Sequence, residues 1–539
     1  MCEDHKKDRK GRSIDNPEDH QLDHQKWKRR DFLQSAGLFT AGLTATFSGI
    51  PLYAMGTSTL LAPLNNLETD RVLVLIQLRG GNDGLNTVIN RFDNTYYNIR
   101  PNIAIKEQNL WALNSKTGMP NRMLDLKPMW EENKMKIIQN VGYPDPNYSH
   151  FRSSDIWATS SDTEEFINTG WIGRYFDQDL PAFIDAQPTI PPAMQIGVQT
   201  DLIFQGDRAN LALAISSPQE FYKLAITGQL YDLKSLTNTP KDQELFYVRQ
   251  VANSAFRYSQ SISAAYNKGR NEVNYPDSNL AQQLAIVSRL IKGRLGTKVY
   301  MVYIDGFDTH AEQYDKHLGL LNTISTSVSA FFKDLEKQQM DDKVLGITFS
   351  EFGRTIAENG SIGTDHGTGA PMLMFCKGIG KNIVGTPPDL VNLGEYGDPN
   401  YGIDFRDVYA SLLQNWFGME PEISDYIIGN DRNPIPNLVP VKNPAIGSEE
   451  FGALLGHKLS VENPEILQIQ YAMLHDGPVV LEVLDMTGQV IRKIMNEFKT
   501  KGTHTVSINI KKYVLNKGEY QYRLKTGGKI YQRLLLITN

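Results

Sequence analysis

The chain has 539 residues, 55 Lys and Arg against 61 Asp and Glu, and a net charge of −6. That length is too great for one core and implies a large domain with at least one smaller unit. The near balance of charge leaves no nucleic-acid footprint. The two cysteines, Cys2 and Cys376, can build neither a disulfide scaffold nor a thiolate cluster, so any metal must be held by Asp, Glu, His and Asn.

Residues 1–28 are polar, charged and without periodicity, the pattern of a disordered segment. Lys28-Arg29-Arg30-Asp31-Phe32-Leu33-Gln34 then opens an uncharged Ala/Gly/Thr-rich run that lasts to Met55. The stretch resembles a twin-arginine signal peptide with a cleavage point near Ala54, and Gly37, Gly42, Gly49 and Pro51 make it a poor permanent membrane helix. Residues 1–56 are therefore expected to direct export of an already folded protein.

Val72 to Leu78 is a β-branched and leucine-rich run that breaks into Arg79-Gly80-Gly81-Asn82-Asp83-Gly84. It reads as a strand buried on both faces of a parallel sheet, with Asp83 just past its carboxyl end, where ligands collect in open α/β sheets. The spacing is neither GxGxxG nor a P-loop. Lys136 to Gly142 gives a second strand, followed by Tyr148-Ser149-His150-Phe151-Arg152-Ser153-Ser154, a loop entering a helix. A hydroxyl there is either an exposed nucleophile favoured by the helix dipole or a plain N-cap, and Ser149, Ser153 and Ser154 are all placed for either.

Residues from about 165 to 295 contain a proline-rich crossing at Pro188–Pro192 and helical spacing over Pro218–Leu236 and Asp242–Ile291. They suggest a helical insertion, about 200–295. A strand over Thr297–Ile304 ends in Asp305-Gly306-Phe307-Asp308-Thr309-His310, a spacing typical of metal ligation. A helix follows from about Glu312 to Lys337, with His317 read as an ordinary surface histidine. Lys343–Phe349 is a further strand, ending in Ser350-Glu351-Phe352-Gly353-Arg354-Thr355, and Gly363-Thr364-Asp365-His366-Gly367 precedes the apolar strand Met372–Cys376. Asp83, His150, Asp308, His310, Glu351, Asp365 and His366 thus form one constellation at element ends.

Leu78–Asn86, Ser149–Phe151, Gly306–His310, Ser350–Thr355 and Asp365–Gly367, in that order, resemble the domain-of-unknown-function family 1501, within the alkaline phosphatase and sulfatase superfamily. The resemblance implies an α/β/α sandwich whose enzymes bind two divalent metals and hydrolyse phosphate or sulfate esters through a hydroxyl nucleophile. Carried over to this chain, Asp83, Asp308, His310, Glu351, Asp365 and His366 are the metal candidates, for zinc, manganese or calcium, one or two ions. Ser149 stands in the nucleophile's place, with His150 and Ser153 as nearby alternatives. Where the superfamily has an adjacent Asp-His pair, this chain has Glu351-Phe352, which leaves one imidazole missing. Arg354 is expected to bind an anionic substrate group.

From Ile423 to Glu450 Pro, Asn and Gly accumulate, marking a linker at 426–455. Short alternating strands follow: Ile466–Tyr471, Val479–Asp485, Val490–Met495, His504–Ile510, Tyr520–Lys525 and Ile530–Ile537, a small antiparallel β-sandwich over 456–539. With Asn463-Pro464, Val483–Val490 and Gly518-Glu519-Tyr520 it resembles a type IX secretion sorting domain; a retained surface- or carbohydrate-binding module is the alternative.

The expectation is an alkaline-phosphatase-like α/β domain over 66–425 with a C-terminal β-sandwich, acting as an exported metal-dependent hydrolase on an anionic ester small molecule or polysaccharide. Its other partners would be the twin-arginine translocase and the type IX machinery. The competing expectation is a non-catalytic cell-surface or polysaccharide-binding protein on a degenerate hydrolase scaffold.

Overall fold

The computed structural model describes residues 71–179, 188–207, 210–226, 256–394 except 257, 397–429, 432–441 and most of 453–537, with two short strands, Ala45–Phe47 and Ile50–Leu52, ahead of them. The remainder of the expected export signal lies outside the described residues. Among the described residues no helix is long and apolar enough to cross a membrane.

A nine-stranded mixed sheet forms the centre. Its main strands in chain order are β1 (Val72–Leu78), β2 (Met135–Gly142), β3 (Ala193–Ile196), β4 (Ala212–Ile215), β5 (Val299–Ile304), β6 (Val344–Ser350), β7 (Ala370–Phe375) and β8 (Asn382–Val384). The order across the sheet is β8-β2-β7-β6-β1-β5-β3-β4, with Ile403–Asp404 beside β2. β1 lies in parallel between β5 and β6, which its continuous apolar run allows because both of its faces are covered.

Only β7 runs against its neighbours. The carboxyl ends of β1, β2, β5 and β6 therefore share one edge of the sheet with the amino end of β7, and the motifs around Asp83, His150, Asp308, Glu351 and His366 issue from that edge.

Four helices matter for the site and its surroundings: α1 (His150–Thr159), α2 (Trp171–Asp179), α3 (Asn279–Lys292) and α4 (Gln313–Glu336). Along α4, Leu321, Ile324, Val328, Phe331 and Leu335 recur at three- and four-residue steps and are at most 1% exposed, the buried stripe that fixes the helix on the core.

The expected α/β architecture is present, with two differences. Residues 200–295 are not purely helical: β3, just before them, and β4 extend the sheet, because Ala193–Ile196 and Ala212–Ile215 are short apolar runs that the edge beyond β5 can bury. Helix occurs at Pro218–Ile226, at 256 and 258–268, and in α3, and 227–255 lie outside the described residues. The linker region begins with a helix, α5 (Pro421–Ile428), whose Ile423, Ile427 and Ile428 are buried.

The C-terminal antiparallel strands are β9 (Ala453–Leu459), β10 (Ile466–Met473), β11 (Gly477–Leu484), β12 (Val490–Lys499), β13 (Gly502–Asn509), β14 (Gly518–Thr526) and β15 (Lys529–Ile537). They form a β9-β10-β13 sheet and a β12-β11-β14-β15 sheet. Alternate residues such as Leu467, Ile469, Leu481, Val483, Tyr522 and Leu524 build a core of their own. β9 is one strand more than the alternation suggested.

This unit sits against α2 and α5. Ala472 and the half-buried Tyr531 join the main core, and Arg533 Nη2 donates to the Asp177 carbonyl at 2.8 Å. At that junction Asp177 Oδ2 accepts from the Asp207 N–H at 2.8 Å. Loss of water around Asp177, and then the Asp207 charge, push its carboxyl up to about 7. A raised folded value means that the contribution to stability is complete below the unfolded value of about 4 and is lost as the pH rises through about 7. Asp177→Asn should flatten the fall in urea midpoint across that window, and an unchanged slope would place the pH dependence elsewhere.

Candidate metal centre

Asp308 stands on the loop between β5 and α4. Gly80 (φ +111°) and Gly81 (φ +84°) let the turn after β1 lie against it; a Cβ on Gly80 would stand 2.4 Å from Asp308 N, and one on Gly81 would stand 2.5 Å from the Phe352 ring. Between β6 and β7 the chain forms a two-residue ladder, Gly353–Arg354 with His366–Gly367, which returns His366 beside Arg354.

Three imidazoles converge on the Asp308 carboxylate. Oδ1 lies 3.1 Å from His310 Nε2 and 3.3 Å from His366 Nε2, and Oδ2 lies 3.5 Å from His150 Nε2. The Nε2 atoms of His310 and His366 are 3.0 Å apart. Each ring is held from behind through Nδ1: His150 by Glu351 Oε2 at 2.5 Å, His310 by Asp365 Oδ1 at 2.9 Å, His366 by the Tyr148 carbonyl at 2.7 Å.

Because each Nδ1 faces an acceptor, it donates, and the Nε2 of a neutral ring presents a lone pair to the cluster. Lone pairs so close repel unless a proton or cation lies among them.

The titration behaviour expresses the same demand for positive charge. Burial disfavours charged His150 and His310, but Asp308 with Glu351 or Asp365 outweighs it and lifts both to about 9. Burial holds His366 down at about 4. Burial would raise Asp308, yet the three histidines and Arg354 hold it below the usual carboxylate range.

The donor set fits a metal ion. His150, Asp308 and His366 each offer a ligand atom within 4.8 Å of the others, and His310 Nε2 lies 3.1 Å from Asp308 Oδ1 and 3.0 Å from His366 Nε2. Tetrahedral bonds of about 2.0–2.1 Å put ligand atoms roughly 3.3 Å apart, near the separations seen here. Carboxylate and carbonyl partners behind each imidazole are the usual outer support of such ligands. Asp308 and His310 are 47% and 38% exposed in their side chains while His366 is 9% exposed, so the cluster opens to solvent on the Asp308 side.

Several expected roles are not supported. Asp83 is buried and saturated: Arg100 Nη1 donates to both its oxygens at 2.7 and 3.0 Å, Leu85 N at 3.1 Å and Asn86 N at 3.4 Å, and Gln313 Nε2 adds another bond. Burial would raise its pKa, but Arg100, then His317, hold it below the usual range. No lone pair remains for an ion.

Arg354 is also buried. It donates to the carbonyls of Gly80, Gly81, Phe307 and Thr364 and to Asp308 Oδ1 at 2.6 Å, so it braces the loops around Asp308. Glu351 and Asp365 stand behind His150 and His310, facing their Nδ1 atoms. His317 is 1% exposed, not a surface residue; its Nε2 donates to Asn82 Oδ1 at 2.9 Å, and burial lowers it to about 4.

Of the serines, Ser153 is buried and bonded to Glu351 O and Tyr143 Oη. Ser149 is the residue before α1, half-buried, with no side-chain capping bond, between the carbonyl that holds His366 and His150 itself.

The sequence reading missed Arg100 and Gln313. Gln313 Oε1 accepts from Thr309 Oγ1 at 3.0 Å and Thr364 Oγ1 at 2.5 Å, tying the loop of Asp308 and His310 to the loop of Asp365 and His366. Its position at the first turn of α4, three residues past His310, was the available signal; Arg100 carried none. Arg100→Met should lower unfolding free energy by about 3–5 kcal/mol, since it leaves a buried charge unpaired. Adding Asp83→Asn should restore much of the loss, and urea denaturation of the pair measures both.

The family described as protein of unknown function DUF1501 matches residues 132–422. No curated protein matches significantly. Among solved structures, a protein in the alkaline phosphatase superfamily from Vibrio parahaemolyticus is 10% identical with a TM-score of 0.29, covering 84% of this chain and 85% of that one. PsFucS1 sulfatase from Pseudoalteromonas sp. is 11% identical with a TM-score of 0.30, covering 93% and 89%. A Bacteroides thetaiotaomicron structure described under the metabolism of multiple glycosaminoglycans is 9% identical with a TM-score of 0.32, covering 83% and 91%. With more than half of its length matched, including the strands and loops that carry Asp308, His310 and His366, the chain belongs to the DUF1501 family.

Proposed function

We propose that the chain is an exported hydrolase of phosphate or sulfate esters that uses one divalent ion held among Asp308, His310, His366 and His150. The observation that carries this reading is the convergence of three imidazole Nε2 atoms on one carboxylate, each ring pinned through Nδ1 by an acceptor. Imidazole-rich sets suit zinc better than manganese or calcium, which prefer oxygen ligands. One ion, not two, follows from the pairing of Asp83 with Arg100. Bound there, the ion would supply positive charge to the ester oxygens and lower the pKa of a coordinated water to about 7.

The chain's own groups do the rest. Ser149 offers its hydroxyl at the amino end of α1, where the helix dipole favours an anionic oxygen. His150 lies beside it, its Nδ1–H held by Glu351 and its Nε2 turned toward Asp308 and the ion. Glu351, Asp365 and the Tyr148 carbonyl keep the rings oriented, and Arg354 fixes Asp308.

We also propose a body at 66–425, a linker at 426–455 and a C-terminal module at 456–539. Export by the twin-arginine route and passage through the type IX machinery rest on the paired Arg29 and Arg30 and on the module's turn and strand pattern. A second reading, a binding protein on a retired scaffold, is favoured by Phe352, whose ring packs on His366 and His150 where a further ligand is expected.

Protein purified without chelator should carry one equivalent of metal by mass spectrometry. Asp308→Ala/His310→Ala should lose it, and Asp83→Asn should keep it. With the metal in place, aryl phosphate or aryl sulfate should be hydrolysed, and Ser149→Ala should lower kcat at least a hundredfold, within the span such charge-stabilised steps show. A metal-free native protein would reject the hydrolase reading in favour of the second.

A further inference from the structure

Residues 453–539 hold twelve Lys and Arg against seven Asp and Glu, a net of +5 in a chain whose total is −6. The charge is not spread evenly over this unit. In the β12-β11-β14-β15 sheet, Leu481, Val483, Tyr522 and Leu524 are fully buried, so the residues alternating with them face outward. Glu482 of β11 stands opposite Lys493 of β12 and Arg523 of β14, on the same face, and Lys525 lies two residues further along β14.

Glu482 accepts from Arg523 at 2.7 and 3.0 Å and from Lys525 at 2.9 Å. Two cations thus hold one carboxylate, and with Lys493 opposite it in register the patch carries three positive charges to one negative. On the same face the ring of Phe498 is 68% exposed, opposite Pro478.

We propose that this sheet face binds an anionic polysaccharide, one bearing sulfate or phosphate groups along its length. Lys493 and Arg523 stand two strands apart, roughly 10 Å, which is comparable to a disaccharide repeat. Guanidinium and ammonium groups meet the anionic substituents, and the exposed ring offers an apolar plane to a sugar face. The Glu482 pairs pre-order Arg523 and Lys525, which reduces the entropy lost on binding.

Two other partners fit less well. Single-stranded nucleic acid is bound on several stacked aromatic platforms, and this face has one ring. Insertion into a lipid surface uses an apolar helical face, and this is a flat polar sheet.

The inference deepens the ester-hydrolase reading by naming a polymeric substrate, yet it lies on a separate unit from Asp308. A chain that binds polymer without metal or activity would therefore lose the hydrolase reading and keep this one.

The test uses the full chain and fluorescein-labelled dextran sulfate, with neutral dextran of equal length, followed by fluorescence polarisation at low salt. The native chain should bind the sulfated polymer and not the neutral one. Lys493→Glu, an exposed change, should weaken binding roughly tenfold or more, as loss and reversal of a polyanion contact does, with thermal midpoint and metal content unchanged. Phe498→Ser should weaken it as well. The proposal is overturned if the native chain does not bind, if Lys493→Glu binds as tightly as the native chain, or if phosphatidylglycerol vesicles capture the protein as well as dextran sulfate does.

Discussion

A carboxylate shut away from water must be neutralised, and Asp83 is neutralised by Arg100. Both side chains are fully buried, and the ion pair joins the turn after β1 to the Arg100 loop, which the Asn86 side chain also ties to that turn by donating to the Ile103 carbonyl at 2.8 Å. Gln313 extends the connection, because its amide donates to Asp83 while its carbonyl accepts from Thr309 and Thr364. Asp308 and His310 flank Thr309, and Asp365 and His366 follow Thr364. The geometry of the candidate centre is therefore set by a charge that never meets solvent.

The same pair limits the ionic chemistry of the edge. Positive charge beside Asp83 is already supplied by a guanidinium, and a second guanidinium, Arg354, lies against Asp308 Oδ1. The demand that remains is the one among the imidazoles. There the donors are all acceptors toward one another, and only the protons on His150 and His310, or a metal ion, relieve the repulsion.

Much of this was legible in the sequence because it depends on local pattern. The apolar runs of β1, β5 and β6 announce a buried sheet, and a polar residue just past each run has to sit at its edge. That is why Asp308, His310, His366 and His150 could be placed together at that edge. What local pattern could not supply was which side chain meets which. Asp83 and Arg354 look like site residues by position, yet their partners lie 17 and 46 or more residues away, in Arg100 for one and in Asp308 and the Gly80 and Phe307 carbonyls for the other. His317 misled for the same reason: on a helix with a polar face its ring appears exposed, and only the packing of α4 against the turn at Asn82 buries it. The strands β3 and β4 were missed because runs of four residues are too short to show a period.

The seating of the β-sandwich on α2 and α5 bears on what proteolysis would do to this protein. Ala472 and Tyr531 complete a core that belongs to the other unit, and Arg533 is bonded to Asp177 there. A tag on a flexible tether can be cut away without trace. Removal of this unit would strip the flank of the two helices and present fresh apolar surface, so a processed form would be stickier than its precursor and would have to bury that flank against something else.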